Sequence, residues 1–509
     1  MTTDDAATRV STRTRALQNE RDRGPGRDAL VFAIGLFVVA LALRMYVATR
    51  LAGEPVWDGH YYDFGARQIA RGFGYADEVM RDGQPTWHPW CHYPVGYSGY
   101  LAAFYKLFGA SRGVAHFANA LVGALLAVIT FSLAREALPG PRAKVAGVLV
   151  ALHPGLVLYS ALLMTEPLSA LLVLGAFFAA IRIARSGKPL RGIVVGALVL
   201  GVAALVRPQA LLCAPFLALA IPRVRGSANE STSENERAGW TWRAVGVVLA
   251  CAAAIVPVLP WTARNCRVMD GCALVSTNAG WNLAIGSFPR ATGRFETLRS
   301  EDGCRDVTGQ VQQDRCWLEY GIANIEQGPR RWLALVPPKL AYTFDHESFA
   351  VEYLREARPL AWPEERRVAV RGGLTFLHRL LVAASPLAFL SLVFGGRGRV
   401  KRRERIVQSA LLAALGVASY LAFAADTPTF WPIVLVACVL PWLPLPGRPS
   451  AHPALLMSIS LVATTALAHA VFFGEDRYHV VATPVLCLLA AAALRPPAPA
   501  AEKADESRT

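Results

Sequence analysis

An acidic residue, Asp58, closely follows an apolar segment, Ala29–Thr49, that is long enough to cross a membrane as a helix. It lies within EPVWDGHYYDFGARQIARGFGY, residues 54–75. A carboxylate that is held at a membrane surface and partly removed from water can take a proton from a hydroxyl group, which makes Asp58 a candidate general base. The alternative interpretation is that Asp58 only caps the helix that begins beside it.

The residues after Asp58 predict an amphipathic helix. Apolar or small side chains recur three or four residues apart, at Tyr62, Ala66, Ile69 and Phe73. Such a helix suits the plane of the membrane interface. Two glycines, at positions 72 and 74, end it. A second cluster, WHPWCHYP at 87–94, brings His92 and Tyr93 into the same loop, either as substrate contacts or as part of an aromatic belt.

Four arginines fall at or beyond the same ends of predicted spans, where a lipid phosphate would lie: Arg207, Arg264, Arg294 and Arg477. Charge-assisted, bidentate contacts make arginine well suited to phosphate. Glu166 occupies a comparable position, at the start of a span and beside a proline. The alternatives are lipid headgroup contacts or salt bridges for the arginines and a first-turn cap for Glu166.

These residues must be positioned by membrane helices. The chain has 509 residues, of which 54% are hydrophobic and only 17% charged, and the apolar residues come in blocks. In lipid, such blocks must be helical because every backbone polar group has to be satisfied internally. We predict an all-α polytopic protein of about twelve transmembrane helices. Arg44, near the end of the first span, is expected to extend its guanidinium to the interface.

The net charge of +15 does not indicate nucleic-acid binding. Lysine and arginine concentrate in alternate short loops, as the positive-inside rule requires. The chain is therefore expected in the cytoplasmic (inner) membrane of a bacterium, with both termini in the cytoplasm. No cleavable signal peptide is evident before the first span.

Five segments follow from this topology: a cytoplasmic tail at 1–28, a transmembrane module at 29–262 that includes a first external loop at 50–111, a large external loop at 263–372, a second transmembrane module at 373–494, and a disordered cytoplasmic tail at 495–509. Juxtamembrane helices are expected in both loops. Cys266–Cys272 and Cys304–Cys316 are candidate disulfides on the external side, with free thiols as the alternative and Cys91 left over. No Cys/His spacing indicates a zinc site.

Several motifs, in order along the chain, resemble those of one family. They are DGHYYxxxAxxIARGxGY from Asp58, YPVGYxxxLAxFYKLFG from Tyr93, Thr-Glu-Pro at 165–167, Arg-Pro at 207–208, an Arg-Asn at 264–265 followed by NAGWN at 278–282, and Arg-Tyr at 477–478. Together they resemble bacterial GT-C glycosyltransferases of the family-39 type, which include protein O-mannosyltransferases and lipid A aminoarabinose transferases. One departure is Gly59, because many relatives carry a second acidic residue beside the first-loop aspartate.

The resemblance implies a GT-C-type bundle that transfers a sugar from a polyprenyl-phosphate donor to a lipid, glycan or protein acceptor at the outer (periplasmic) face, with inversion at the anomeric carbon. Asp58 would be the base, and the four arginines would bind the donor phosphate. Eight further residues are candidates for substrate contact: Tyr61, Tyr62, His92, Tyr93, Glu166, Asn278, Trp281 and Asn282. The alternative for Asn278, Trp281 and Asn282 is that they form the core of the folded loop. No cofactor is expected; a divalent metal stays open as an alternative that no residue pattern indicates. Membrane lipids are the other expected partners.

A multi-pass transporter or a lipid-linked-sugar flippase without catalysis is the alternative. Transporters usually show paired halves and charges near the membrane midplane, whereas here the charges collect at one face. The two functions can be distinguished by whether residues 263–372 fold over the first loop and enclose a cavity that contains Asp58.

Overall fold

The computed structural model describes residues 26–81, 84–221, 232–390, 402–443 and 451–494. Most of the predicted N-terminal tail and all of the C-terminal tail lie outside these ranges. Within them the chain is almost entirely helical, which confirms the predicted fold class.

The first half of the chain forms helices that account for most of the predicted N-terminal module. Their bounds are Arg27–Leu51, Asp58–Arg71, Val95–Phe108, Arg112–Ala137, Gly140–Leu152, Pro154–Leu158, Glu166–Arg185, Pro189–Val206, Thr232–Ile255 and Leu259–Val268. Two 3-10 segments, Tyr159–Ala161 and Pro208–Ala220, continue the helices before them.

The second half begins with short extramembrane helices and ends with apolar ones. The short helices are Ala279–Ile285, Gln310–Gln327, Pro329–Ala334, Val336–Phe344 and Phe349–Ala357. The C-terminal helices are Glu364–Ala384, Arg402–Ala424, Trp431–Val439, Pro453–Val471 and Thr483–Ala493, with 3-10 segments at Ser300–Asp302, Pro359–Ala361, Ser385–Phe389, Leu440–Trp442 and Asp476–Val481. Helix Glu364–Ala384 runs across residue 373, the predicted boundary between the large external loop and the second transmembrane module.

Among the described residues, seven helices are long and apolar enough to cross a membrane, or nine if two pairs bent by 48° and 44° each make one span. The protein is therefore a multi-pass membrane protein. Three shorter apolar helices, Pro208–Ala220, Trp431–Trp442 and Thr483–Ala493, would bring the number to the twelve that the sequence predicts.

Small residues let the membrane helices approach closely. A β-carbon on Gly192 would lie 2.5 Å from the carbonyl oxygen of Ala180, and one on Gly196 would lie 2.9 Å from that of Ala176. Because lipid tails are as apolar as the helix surfaces, such close packing is a main source of helix association in a membrane. The close packing at Gly192 and Gly196 joins helix Glu166–Arg185 to helix Pro189–Val206.

Arg44 does not extend to the interface as expected. It is fully buried, and its guanidinium donates to the carbonyl oxygens of Val150 at 3.0 Å and Ala151 at 2.8 Å. Pro154 has no N–H to offer the Val150 carbonyl, so the bend at Pro154 leaves acceptors without helical donors. Arg44 supplies those donors, and its charge is held among carbonyl dipoles rather than at the membrane surface.

The first loop contains one feature that the sequence analysis did not predict, an antiparallel hairpin. Its strands are Ala76–Arg81 and Gln84–Pro89, with Ala76 opposite Pro89. The dipeptide Asp82–Gly83 between them in the sequence is a strong hairpin signal. The hairpin is small, so the architecture remains helical.

The second loop has its own small core and folds against the first loop. Trp317, Phe288 and Leu298 are buried together. Cys266–Cys272 and Cys304–Cys316 are both disulfide-bonded, as the sequence suggested, and Cys91 is free and buried.

Candidate active site

Asp58 is the first residue of helix Asp58–Arg71, which ends at Gly72 in the left-handed conformation that glycine favours. The preceding residue, Trp57, has a positive φ of 49°, a strained backbone for a bulky side chain. The Trp57 ring is held edge-on against Tyr353. This strained entry fixes the first turn of the helix and the position of Asp58.

The Asp58 carboxylate makes contacts other than a helix cap. One oxygen accepts a hydrogen bond from the Tyr93 hydroxyl at 2.7 Å, and the other lies 2.5 Å from Nη1 of Arg477. The Asp58 side chain is 20% exposed. The alternative interpretation, in which Asp58 serves only as a helix cap, therefore does not account for the contacts that its side chain makes.

Arg477 lies in the 3-10 segment that follows helix Pro453–Val471. Its Nε is 2.5 Å from a carboxylate oxygen of Glu475, so it is paired with two acids. The neighbouring Asp476 accepts hydrogen bonds from the backbone N–H groups of Ser348 and Phe349. That anchors the segment to the end of the second loop and places the guanidinium of Arg477 over the Phe349 ring.

A second acid–base pair faces the same space. Nη1 of Arg207 lies 2.7 Å from Glu166 and 3.0 Å from the hydroxyl of Thr165. Arg207 has an extended backbone because it precedes Pro208, and this ends helix Pro189–Val206. The ring of Tyr478 is near both arginines, 5.3 Å from the guanidinium carbon of Arg207 and 5.0 Å from that of Arg477.

These groups line a cavity of about 600 Å³. Ten of the thirteen predicted site residues contribute to its wall: Asp58, Tyr62, His92, Tyr93, Glu166, Arg207, Asn278, Trp281, Asn282 and Arg477. They come from both loops and from three span ends, so the fold brings together residues that the sequence could only group by motif.

The other three predicted site residues lie outside this lining. Arg264 donates to the carbonyl oxygens of Tyr75 at 2.7 Å and Trp90 at 3.1 Å, which ties the loops together. Arg294 is exposed, and its backbone pairs with Gly474. Tyr61 is 46% exposed and packs on Trp90.

One wall of the cavity is apolar. It is formed by side chains such as Leu212 and Leu467, which are 41% and 58% exposed. Leu212 belongs to segment Pro208–Ala220 and Leu467 to helix Pro453–Val471, both apolar enough to lie in lipid. The cavity is thus lined both by charged residues and by exposed apolar residues from segments that are apolar enough to lie in lipid.

The titratable groups differ in their protonation. Burial by itself raises the pKa of Asp58, but the charge of Arg477 and the hydrogen bond from Tyr93 outweigh it and hold that pKa below its ordinary value. Burial raises the pKa of Glu475 to about 7, despite the opposing charge of Arg477. Burial also lowers the pKa of His92. At neutral pH the site therefore holds an ionised Asp58, a neutral His92 and a Glu475 near its midpoint.

Some residues of this site were not among the predicted site residues, although Tyr478 belongs to the Arg-Tyr motif. Tyr478, His469 and Gln209 line the cavity, and Glu475 pairs with Arg477. The imidazole of His469 bonds the Phe473 carbonyl at 2.9 Å and stacks on Tyr478 at 3.9 Å. The signal available in the sequence was the proximity of Glu475 and Tyr478 to Arg477.

The helical membrane fold and the site agree with the class that the motifs indicated, the GT-C glycosyltransferases. Residues 92–261 match the family described as dolichyl-phosphate-mannose-protein mannosyltransferase. The matched segment, about a third of the chain, includes His92, Tyr93, Glu166 and Arg207. This match confirms the resemblance to the GT-C superfamily.

The solved structures that the chain matches include two oligosaccharyltransferase structures from Archaeoglobus fulgidus and one of ArnT from Cupriavidus metallidurans. The Archaeoglobus fulgidus oligosaccharyltransferase tethered with an acceptor peptide is 13% identical, with a TM-score of 0.43, over 91% of this chain and 49% of that chain. AglB from the same organism, in complex with an inhibitory peptide and a dolichol-phosphate, is 13% identical, with a TM-score of 0.41, over 91% and 50%. ArnT from Cupriavidus metallidurans bound to undecaprenyl phosphate is 16% identical, with a TM-score of 0.33, over 90% and 77%.

The chain spans about half the length of the archaeal oligosaccharyltransferases. No curated protein sequence matches it.

Proposed function

We propose that this protein transfers a sugar from a polyprenyl-phosphate donor to an acceptor hydroxyl of a lipid, glycan or protein. The observation that carries the proposal is the Asp58–Arg477 pair, which lies in one cavity with a second arginine, Arg207, and an apolar border. A base, phosphate-binding cations and a lipid groove are the parts that this reaction needs.

Arg207 and Arg477 are the candidates for binding the donor phosphate. Both residues line the cavity, and their guanidinium carbons lie 5.3 Å and 5.0 Å from the centroid of the Tyr478 ring. Each is already paired with a carboxylate, so its positive charge is balanced within the site. A phosphate can join these pairs because a guanidinium has five N–H donors.

The apolar border suits the polyprenyl tail. Leu212 and Leu467 line the cavity and are exposed on segments that face lipid, so a tail lying between them would remain in the membrane while its phosphate reaches the arginines. Burying hydrocarbon on such side chains costs little, since the tail exchanges one apolar neighbour for another.

Asp58 is the proposed base. In transfer, the acceptor oxygen bonds to the anomeric carbon, the bond between that carbon and the phosphate oxygen breaks, the hydroxyl proton passes to Asp58, and the polyprenyl phosphate leaves on the arginines. Attack opposite the leaving phosphate inverts the anomeric centre. Because Arg477 depresses the pKa of Asp58, a phosphate that draws Arg477 away makes Asp58 more basic. Donor binding would thus increase the basicity of Asp58.

The opposite wall suits the sugar and acceptor. Trp281 and His92 face the cavity and contact each other edge-on at 6.1 Å, with Asn278 and Asn282 nearby on the same segment. Aromatic faces and amide side chains are the groups that bind sugar rings and hydroxyls. The positive-inside pattern favours placing this wall on the periplasmic side of the bacterial inner membrane.

Transport or flipping without catalysis is less well supported. The second loop contributes Ser276, Asn278 and Trp281 to a cavity that contains Asp58, which is the arrangement expected of an enzyme. A carrier needs polar groups along a path through the membrane, whereas this cavity gathers its charges at span ends.

The experiment is reconstitution of the purified chain in proteoliposomes with polyprenyl phosphates carrying labelled hexose or aminopentose, together with an acceptor extract. We expect the label to move to the acceptor and free polyprenyl phosphate to appear. Movement of the intact donor across the bilayer, with no cleavage for any donor, would support the flippase alternative and contradict the proposal. Mass spectrometry of envelope glycans and proteins from a deletion strain would identify the acceptor.

A further inference from the structure

A second cluster of titratable side chains lies apart from the cavity. Glu347, His378 and His479 are all buried, at 3%, 0% and 0% exposure, and none of them lines the cavity. They come from three separate parts of the chain: the turn before helix Phe349–Ala357, the apolar helix Glu364–Ala384, and the 3-10 segment Asp476–Val481, which also contains Arg477. One potential ligand atom from each lies within 4.8 Å of the others.

Hydrogen bonds to backbone carbonyls determine which nitrogen of each imidazole carries hydrogen. Nε2 of His378 is 2.8 Å from the carbonyl oxygen of Phe344, and Nδ1 of His479 is 2.7 Å from that of Thr343. A carbonyl only accepts, so these two nitrogens carry hydrogen. In a neutral ring the opposite nitrogen then offers a lone pair. Those opposite nitrogens, Nδ1 of His378 and Nε2 of His479, have no hydrogen-bond partner.

The carboxylate of Glu347 completes the set. Its Oε2 also lacks a hydrogen-bond partner and lies 3.6 Å from Nε2 of His479, too far for a hydrogen bond. The chain makes room for this group at Gly155, where a β-carbon would lie 1.7 Å from Oε1 of Glu347. Three buried acceptor atoms without partners lower the stability of the folded state unless a ligand or ion binds them.

We propose that Glu347, His378 and His479 bind one divalent transition-metal ion, with zinc the best match. Two imidazoles and a carboxylate form a common zinc donor set, and imidazole ligands typically donate their other ring N–H to a backbone carbonyl, as both do here. Ligands on a tetrahedral zinc lie about 3.4 Å apart when the bonds are about 2.1 Å. The 3.6 Å separation of Glu347 and His479 is already close to that value.

His153 lies beside the cluster, because a β-carbon on Gly155 would lie 3.2 Å from Cε1 of His153 as well as 1.7 Å from Oε1 of Glu347. It is 3% exposed, and its Nδ1 accepts the backbone N–H of Leu156 at 3.3 Å, so Nε2 carries the proton of the neutral ring. That N–H also has no partner. A donor in this position suits a water or hydroxide that fills the fourth place on the metal.

The ion would have a structural role: it would hold the Arg477 segment in place and would take no part in the reaction itself. His479 is two residues from Arg477, and Glu347 is next to Ser348, whose N–H donates to Asp476. A metal bound by Glu347 and His479 would therefore hold the Arg477 segment against the end of the second loop and against helix Glu364–Ala384. The metal site itself does not depend on sugar transfer; only this consequence for Arg477 rests on the proposed function.

The test is elemental analysis of the full chain, purified with a tag that contains no histidine. We expect about one zinc per chain in the wild type and under about a tenth of that in His378→Gln and His479→Gln. His116→Gln is the matched control, because His116 is also buried, bonds the Ser160 carbonyl through one nitrogen and has the other unpaired, yet is not in the cluster. That variant should keep its zinc.

A second measurement needs no variant. X-ray absorption at the zinc edge of the wild type should show nitrogen and oxygen neighbours at about 2.0–2.2 Å and no sulfur. Sulfur neighbours at about 2.3 Å would assign the metal to cysteines, and failure of chelator-treated protein to take up zinc, cobalt or iron would leave a buried Glu347–His479 ion pair. Either result overturns the proposal. Loss of sugar transfer with zinc content unchanged would concern only the proposed activity.

Discussion

Asp58 and Arg477 form an ion pair, with 2.5 Å between Oδ2 and Nη1, although 419 residues separate them in the sequence. The same guanidinium is 2.5 Å from Glu475, so one cation is shared between two acids. Any anion that enters the cavity competes with both for Arg477. In the proposed reaction, the charge state of these three residues would therefore affect both donor binding and proton transfer.

Replacing Asp58 with asparagine should leave the protein folded and inserted but abolish transfer. The amide keeps the shape of the side chain and cannot take a proton, and loss of a general base typically lowers a rate by about 10²–10⁴-fold. The measurement is the rate of label transfer from donor to acceptor at saturating substrate.

Asp63→Asn is the control for that variant. Asp63 is on the same helix, but it pairs with Arg67 at 2.7 Å and accepts from Tyr105, outside the cavity lining. Its variant should keep the transfer rate. Turnover of Asp58→Asn at the wild-type rate would remove Asp58 as the base.

Arg477→Ala should weaken donor binding. A hydrogen bond to a charged group contributes about 1.5–3 kcal/mol, which corresponds to roughly a 10–100-fold increase in Kd. Binding of labelled polyprenyl phosphate to protein in nanodiscs measures this. Arg294→Ala, which removes an exposed guanidinium outside the lining, should leave Kd unchanged. Equal affinity in wild type and Arg477→Ala would make Arg477 a structural residue.

Donor binding should depend on pH through Glu475. Its pKa is raised to about 7, so below that value it is neutral and no longer competes for Arg477. We expect KM for the donor to fall as pH decreases from about 8 to 6. In Glu475→Gln this dependence should disappear. Asp58 stays ionised throughout this range because its pKa is lowered.

The same shift affects stability, with a definite sign. A carboxyl with a pKa of about 7 when folded and an ordinary value of 4.5 when unfolded binds more protons in the folded state. Its contribution is therefore fully present below 4.5 and is lost as pH rises toward 7. Thermal unfolding in detergent should show this loss in wild type and not in Glu475→Gln. An identical pH profile in both would reject the raised pKa.

Gly59 cannot become alanine or aspartate without strain. A β-carbon there would lie 2.2 Å from the hydroxyl oxygen of Tyr353 and 3.0 Å from the Leu163 carbonyl oxygen. Overpacking of this kind costs about 1–3 kcal/mol, so Gly59→Ala should lower Tm. Tyr353→Phe removes the nearest atom, and the double variant should recover part of the loss. Strict additivity of the two changes would contradict this contact.

That contact accounts for the glycine at position 59 of this chain. The pattern DGHYY, without a second acid after Asp58, is visible in the sequence, but its cause is not, because Tyr353 is far along the chain. The tyrosine occupies the space that an acidic side chain would need. Local patterns gave the helix after Asp58 and the two disulfides, since their partners are within a few residues.

Contacts between distant segments are what the sequence could not provide. Arg264 fits the phosphate-binding pattern as well as Arg207 does, yet its guanidinium is committed to the carbonyls of Tyr75 and Trp90. The Glu347–His378–His479 cluster was invisible for a related reason: its members are 31 and 101 residues apart, whereas the spacing rules for metal sites apply to short loops. Charge and hydropathy locate a residue at a span end but do not show which neighbour it meets.

Cys91 illustrates how the two loops are joined. Its backbone N–H donates to the side chain of Gln310 at 3.0 Å, and its carbonyl accepts from the N–H of Thr277 at 3.0 Å. Lifting the second loop away would break both bonds at once and expose a buried thiol. These bonds hold the second loop in place over the cavity. In the proposed reaction, a long isoprenoid should therefore enter the cavity laterally from the bilayer, past Leu212 and Leu467, rather than from the side of the second loop.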